Sequence, residues 1–275
     1  MPFTLFSATG CMRCQMVKSY MQESGIAYQE FDIKKDGRDA FNSFYRSRRS
    51  DIYRGEEGIE FPILDTGERV VQGVGMIIAF LKVEDQLTNA VTRSQLSHGW
   101  ISGLDISATE GALSHDFIEI IGYLKTHGLK TQIETDGRNA DILTRLIEKK
   151  QIDRLIFHLR GPAELYESLT GVALSRAELC HSLSLVEQCP EYQIILSISP
   201  VQRADNQVDY ISLEEARQAA SIVEEATNKK THPFYIREGL PSPEMAVEAL
   251  PPSSLFKYRT ACRRYMVKAE ILKTK

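Results

Sequence analysis

With 275 residues the chain has length for about two domains, and 43% hydrophobic against 25% charged residues is a globular balance that excludes disorder. A net charge of −4 gives no general attraction to nucleic acid, and five cysteines without a regular framework exclude a secreted disulfide scaffold. The N-terminus runs straight into an apolar strand and no apolar run reaches about 18 residues, so neither export nor a membrane span is expected, and a reducing cytoplasm is the expected setting.

The first element is a short apolar strand at 3–6. Behind it, Cys11-Met12-Arg13-Cys14 opens an amphipathic stretch, 12–21, with the spacing of a helix. Two sulfurs so spaced face each other across one turn and can close a small disulfide. The free N–H groups and positive dipole of a helix N-terminus favour a thiolate on Cys11, with Cys14 turned inward. Ser24-Gly25 ends the helix; 27–33 alternates like a strand, 39–48 is a polar helical segment, and 49–58 is a charged loop. A strand at 60–64, a hairpin turn at 65–68 and a returning strand at 69–72 follow. Gly73 then leads into a last helix at 76–82.

Cys11-x-x-Cys14, the proline of Phe61-Pro62 and Gly73 after a hairpin stand in the order β-α-β-α-β-β-α, which resembles the glutaredoxin family along residues 1–85. The resemblance implies a thioredoxin-like domain, a cis Phe61-Pro62 bond packed beside the sulfurs, and a substrate docking surface made by Phe61, Pro62 and Gly73. The family's Cys-Pro-Tyr-Cys is Cys-Met-Arg-Cys here, Ser7-Ala8-Thr9-Gly10 replaces a basic residue before the first cysteine, and no acidic residue follows Gly73. Glutathione loses its expected contacts by these departures. A protein disulfide is the expected substrate, with a thioredoxin-type reductant. A metal-binding dithiol, including a bridged iron–sulfur cluster, is the other chemistry open to this pair. The basic loop 46–54 reads as a solvated surface, or as a recognition element for an acidic partner or a phosphate.

A linker is expected at 86–98, and beyond it strands alternate with helices. Strands are expected at 104–107, 130–135, 154–158, 193–198 and 233–236, with helices at 115–126, 140–149, 175–188 and 212–227. This spacing predicts about five parallel strands in a partial (β/α) barrel over 99–240. The stretches GLDISATE (103–110), KTHGLKTQIETDG (125–137), IDRLIFHLR (152–160) and YESLTG (166–171) resemble, in order and spacing, the radical S-adenosylmethionine activating proteins. The Cys-x-x-x-Cys-x-x-Cys that holds that family's cluster is missing, as is the strand that carries it. Neither S-adenosylmethionine nor an iron–sulfur cluster is expected as a cofactor, and no metal site is assigned. Cys180, His181 and Cys189 fit no common ligand spacing. Glu110, Glu134, His158 and Arg160 fall at the C-terminal ends of the expected strands, where parallel sheets build pockets. They read either as a pocket for a small anionic or zwitterionic ligand or as a solvated rim.

After a linker, Leu255, Tyr258, Cys262, Tyr265, Ala269 and Leu272 recur every three or four residues within 241–275. Residues 251–275 hold seven Lys/Arg (257, 259, 263, 264, 268, 273 and 275) and one acid, Glu270. The expected element is a basic amphipathic helix docked on its own protein or offered to a partner. The function implied by the whole is a cytoplasmic thiol–disulfide oxidoreductase joined to a non-catalytic radical-enzyme-like domain. The alternatives are a redox-sensing or ligand-binding accessory protein and, third, a radical activating-type enzyme.

Overall fold

The computed structural model describes residues 3–56, 58–96, 99–203, 207–239 and 248–272. It is a mixed α/β protein in two compact units, Met1–Thr131 and Gln132–Lys275. Among the described residues no helix is long and apolar enough to cross a membrane.

The first unit begins with β1 (Phe3–Ser7), α1 (Met12–Glu23), β2 (Tyr28–Asp32) and α2 (Arg38–Ser47). It continues through a small ladder of β3 (Arg54–Gly55) and β4 (Gly58–Ile59), then β5 (Ile63–Asp65), β6 (Val70–Gln72) and α3 (Val74–Val83). A four-stranded sheet runs β2-β1-β5-β6, with β1 parallel to β2 and antiparallel to β5. Leu5 and Phe6 are adjacent and so point to opposite faces, yet both are buried. A strand in that position must be covered on both sides. On one side Phe6 stacks on Phe44 at 4.5 Å and meets Phe41 at 5.4 Å, in a cluster completed by Ile52 and Ile63. The hairpin turn at 65–68 is as expected: Gly67 sits at φ 90°, and its N–H reaches the Asp65 carboxylate at 2.9 Å. This is the thioredoxin-like arrangement.

The unit does not stop there. The stretch 86–98, expected as a linker, folds back: Val91 bridges Leu104 on β7 (Trp100–Asp105), and Ser94 and Ser102 exchange hydrogen bonds. Gly103 at φ 74° is required, because a Cβ there would lie 2.6 Å from Thr92 Oγ1. The strand expected at 104–107 therefore lies earlier, at Trp100–Asp105. Helix α4 (Ser114–Thr126) packs beside α1 and α3: Tyr123 donates to the Met16 carbonyl at 3.1 Å, and Lys82 spans Asp116 and Glu119.

Strand β8 (Lys130–Thr135) leads into the second unit. There follow α5 (Ala140–Glu148), β9 (Arg154–Leu159), α6 (Tyr166–Thr170), α7 (Arg176–Ser184) and β10 (Glu191–Ile198). A hairpin of β11 (Pro200–Gln202) and β12 (Val208–Tyr210), α8 (Leu213–Thr227), β13 (Phe234–Glu238), α9 (Ser254–Cys262) and β14 (Glu270–Ile271) complete it. Strands β8, β9, β10, β13 and β14 are neighbours in that order, all parallel. Leu155, Phe157, Leu159, Ile194, Leu196, Ile198, Phe234 and Ile236 are buried on one face. Ser175 and Ser212 start α7 and α8 with reciprocal capping boxes to Glu178 and Glu215. The result is a partial β/α barrel.

The C-terminal stripe is not one helix. Helix α9 ends at Cys262, and the chain turns into β14 beside β13. Leu255, Tyr258, Cys262, Met266 and Ala269 are buried, Tyr258 donates to the Ile211 carbonyl at 2.6 Å, and Arg263 pairs with Glu270 at 2.7 Å. Of the expected stripe, Leu255, Tyr258, Cys262 and Ala269 are buried, but Tyr265 and Leu272 are only partly so and Met266 is buried instead, because past Cys262 a turn and a strand replace the helical period. Of the expected 241–275 linker and helix, residues 241–247 lie outside the described residues.

Candidate redox site and a polar strand-end cluster

Cys11 is the N-cap of α1 and is joined to Cys14 by a disulfide, the Cα atoms 5.3 Å apart. The Cys14 backbone N–H points at Cys11 Sγ over 3.1 Å, so the helix N-terminus is directed at the outer sulfur. Cys14 is 1% exposed, whereas Cys11 is half-buried. Phe61-Pro62 is cis, and the Phe61 carbonyl oxygen lies 3.9 Å from Cys11 Sγ. Gly73, at φ 96°, donates its N–H to the Pro62 carbonyl at 3.0 Å. Cys11, Cys14, Phe61, Pro62 and Gly73 are thus gathered at one place.

Arg13, between the cysteines, was not singled out by its type alone. Its guanidinium pairs with Glu60, the residue before Phe61, and donates to the Leu96 and Trp100 carbonyls at 2.8 Å each. Arg93 lies 3.3 Å over the Tyr53 ring and 3.9 Å from Glu60. Arg13, Tyr53, Glu60, Arg93 and Leu96 line a cavity of about 610 Å³. The legible signal was a cation inside the C-x-x-C and an acid just before the Phe-Pro pair. The basic loop is anchored rather than free at Arg48, which donates to the Gly67 and Glu68 carbonyls.

In the second unit, Glu134 on β8 and His158 on β9 meet through His158 Nε2 and Glu134 Oε2 at 2.9 Å. Arg237 on β13 places Nη2 3.5 Å from His158 Nδ1. An arginine can only donate, so Nδ1 accepts and the protonated Nε2 donates a hydrogen bond to Glu134. Arg237 Nε also donates to Ser197 Oγ at 3.0 Å. The hydrogen bond from His158 holds the Glu134 carboxyl below its ordinary range, against the opposing effect of burial. Burial, then the Arg160 charge, pulls Arg237 down. Arg160 stands 3.9 Å from Asp136, which Arg138 already grips at 2.8 Å. Tyr166 ties the ends of β8 and β9 together, donating to the Asp136 carbonyl at 2.8 Å. Arg237 and Ser197 were missed in the sequence because they belong to strands 40 residues apart. Glu110 is exposed and belongs to the first unit, before its Gly111–Leu113 turn.

The cysteines do not fit a three-thiolate cluster. Cys180 is on α7, Cys189 precedes β10, and Cys262 ends α9 with its thiol directed at the Ala216 carbonyl. Burial pushes Cys189 and Cys262 up to about 12, which favours inert thiols. No group of three His, Cys, Asp or Glu among the described residues is placed to hold a metal.

Residues 3–49 match the family model described as Glutaredoxin. No curated protein matches the chain. Among solved structures, a domain of a pyruvate-formate lyase-activating enzyme from Bacteroides vulgatus is 13% identical, with a TM-score of 0.45, covering 64% of this chain and 100% of that one. A structure of TYW1 with a lysine-pyruvate adduct bound is 14% identical with a TM-score of 0.41, covering 58% of this chain and 49% of that one.

Proposed function

We propose that the protein is a cytoplasmic thiol–disulfide oxidoreductase acting on protein disulfides through Cys11 and Cys14. The observation that supports this most is the half-buried Cys11 at a helix N-cap, bonded to a buried Cys14, inside the segment that matches the glutaredoxin family. In the reduced protein the Cys11 thiolate attacks one sulfur of a partner disulfide, and the partner's other sulfur leaves as a thiolate and takes a proton. Cys14, as thiolate, then attacks Cys11 Sγ, forming the observed disulfide and releasing the partner's second thiol. Two electrons pass from the pair to the partner. A thioredoxin-type system returns them. The main support for that reductant is sequence: no acid follows Gly73 to hold glutathione, and Arg13 is already committed to Glu60.

The test is reduction of a model protein disulfide such as insulin, with either a thioredoxin system or glutathione as electron source. Turnover with the first, and its loss in Cys11→Ser, is the expected result. Full activity in Cys11→Ser would remove the mechanism. The second unit is proposed as a ligand-binding or recognition domain without radical chemistry, a reading favoured by the Glu134–His158–Arg237 chain of hydrogen bonds.

A further inference from the structure

Strand register decides which side chains share a level on the second unit's sheet. Strands β9 and β10 pair up to Leu159 and Leu196, so the next residues, Arg160 and Ser197, stand one step further along and on the opposite face. Ser197 is the register partner of Arg237 on β13. Arg160, Ser197 and Arg237 therefore form a row across three neighbouring positions. At ~4.8 Å between strands the two arginine backbones are ~10 Å apart, a span that two long side chains close over a small serine.

The row itself holds two guanidinium groups and no carboxylate. Asp136 is held by Arg138, and Glu134 accepts a hydrogen bond from His158. Arg160, a third exposed, makes no side-chain hydrogen bond among the described residues; its buried Nε lies 3.9 Å from Asp136 Oδ2, beyond hydrogen-bond reach. Arg237 spends Nε on Ser197 and Nη2 on His158, leaving Nη1 without a hydrogen bond among the described residues. Arg160 and Arg237 thus stand close enough to act on each other and on Glu134, with donors left over on both. Like charges held together with unspent planar donors are a poor arrangement unless something anionic completes them.

We infer that the Arg160–Ser197–Arg237 row binds the oxyanion, carboxylate or phosphoryl, of a small molecule. Both guanidinium groups supply donors; Ser197 accepts from Arg237 and aims it, and His158 holds its other edge. The row lies at the carboxyl ends of parallel strands, where open α/β sheets take ligands.

Isothermal titration of the full-length protein with inorganic phosphate, and separately with acetate, tests the assignment. Saturable binding of at least one is expected; phosphate alone identifies a phosphoryl ligand and acetate alone a carboxylate. Arg160→Gln and Arg237→Gln should each weaken it by about tenfold or more, with partial rescue by lysine, while Arg176→Gln on the surface of α7 changes nothing. Cys11→Ser should bind as the parent does, which separates failure here from failure of the exchange reading. No saturable binding of either anion, or unchanged affinity in folded Arg160→Gln, overturns the inference. Arg160→Gln is the decisive variant should Arg237→Gln fail to fold, since no hydrogen bond depends on its side chain.

Discussion

The two sites are built in opposite ways. Cys11 and Cys14 are three residues apart, and one helix N-terminus sets their geometry. The strand-end cluster draws Glu134, His158, Ser197 and Arg237 from four strands, over separations up to 79 residues. A local site tolerates change in distant packing, whereas an assembled one depends on register. Slipping a parallel strand by one residue would turn its polar row onto the buried apolar face.

The largest effects should come from the local pair. Cys11→Ser should bring disulfide reduction to background, whereas Cys14→Ser should keep the first attack and accumulate a mixed disulfide, seen as a mass increment that dithiothreitol removes. Accumulation in Cys11→Ser instead would reverse the assigned roles.

Gly73→Ala tests how far the redox site also relies on its surroundings. A side chain at φ 96° is strained, and the bond to the Pro62 carbonyl depends on that conformation. A loss of about 1–3 kcal/mol in denaturant unfolding is expected, with slower exchange. Stability equal to the parent would show that this backbone relaxes freely.

The assembled cluster should respond to pH. Because the folded Glu134 carboxyl lies below its ordinary value, its contribution is present above the unfolded value and is lost as pH falls through the folded one. Denaturant midpoints below pH ~4.3 should therefore fall less steeply in Glu134→Gln than in the parent. An identical slope would mean the His158 bond adds nothing to folding. Glu215 offers a comparison at a helix cap: Arg203, with the cap of Ser212, holds it down to about 2. Glu215→Gln should cost about 1.5–3 kcal/mol at neutral pH, an effect that vanishes as pH approaches 2.

The smallest expected effect is none. Prepared anaerobically with iron and sulfide, the protein should not cleave S-adenosylmethionine, because its remaining thiols sit at three separate places on the second unit. Release of 5′-deoxyadenosine, lost on Cys11→Ser, would join the two sites into one.

Much of the first unit was legible because its determinants are short-range. A cysteine pair at a helix start, a Phe-Pro pair, and an Asp-x-Gly hairpin specify their own backbone. Alternating strands and helices likewise announced the parallel sheet, since crossover helices separate its strands in sequence. Residues 86–96 were not legible as structure, because one β-bridge and a pair of serines hold them against β7 rather than any periodicity. The end of α9 was hidden by an apolar stripe that runs on in sequence past Cys262, where a turn and a strand replace the helix. Sequence by itself determined the redox pair, the strand–helix alternation, and three of the residues at the strand ends. Only the tertiary structure decided that Arg13 is tied to Glu60, that Glu110 belongs to the first unit, and that Ser197 and Arg237 stand level with Arg160. Those relations depend on strand register and close packing, which bring together groups whose distance along the chain carries no sign of their meeting.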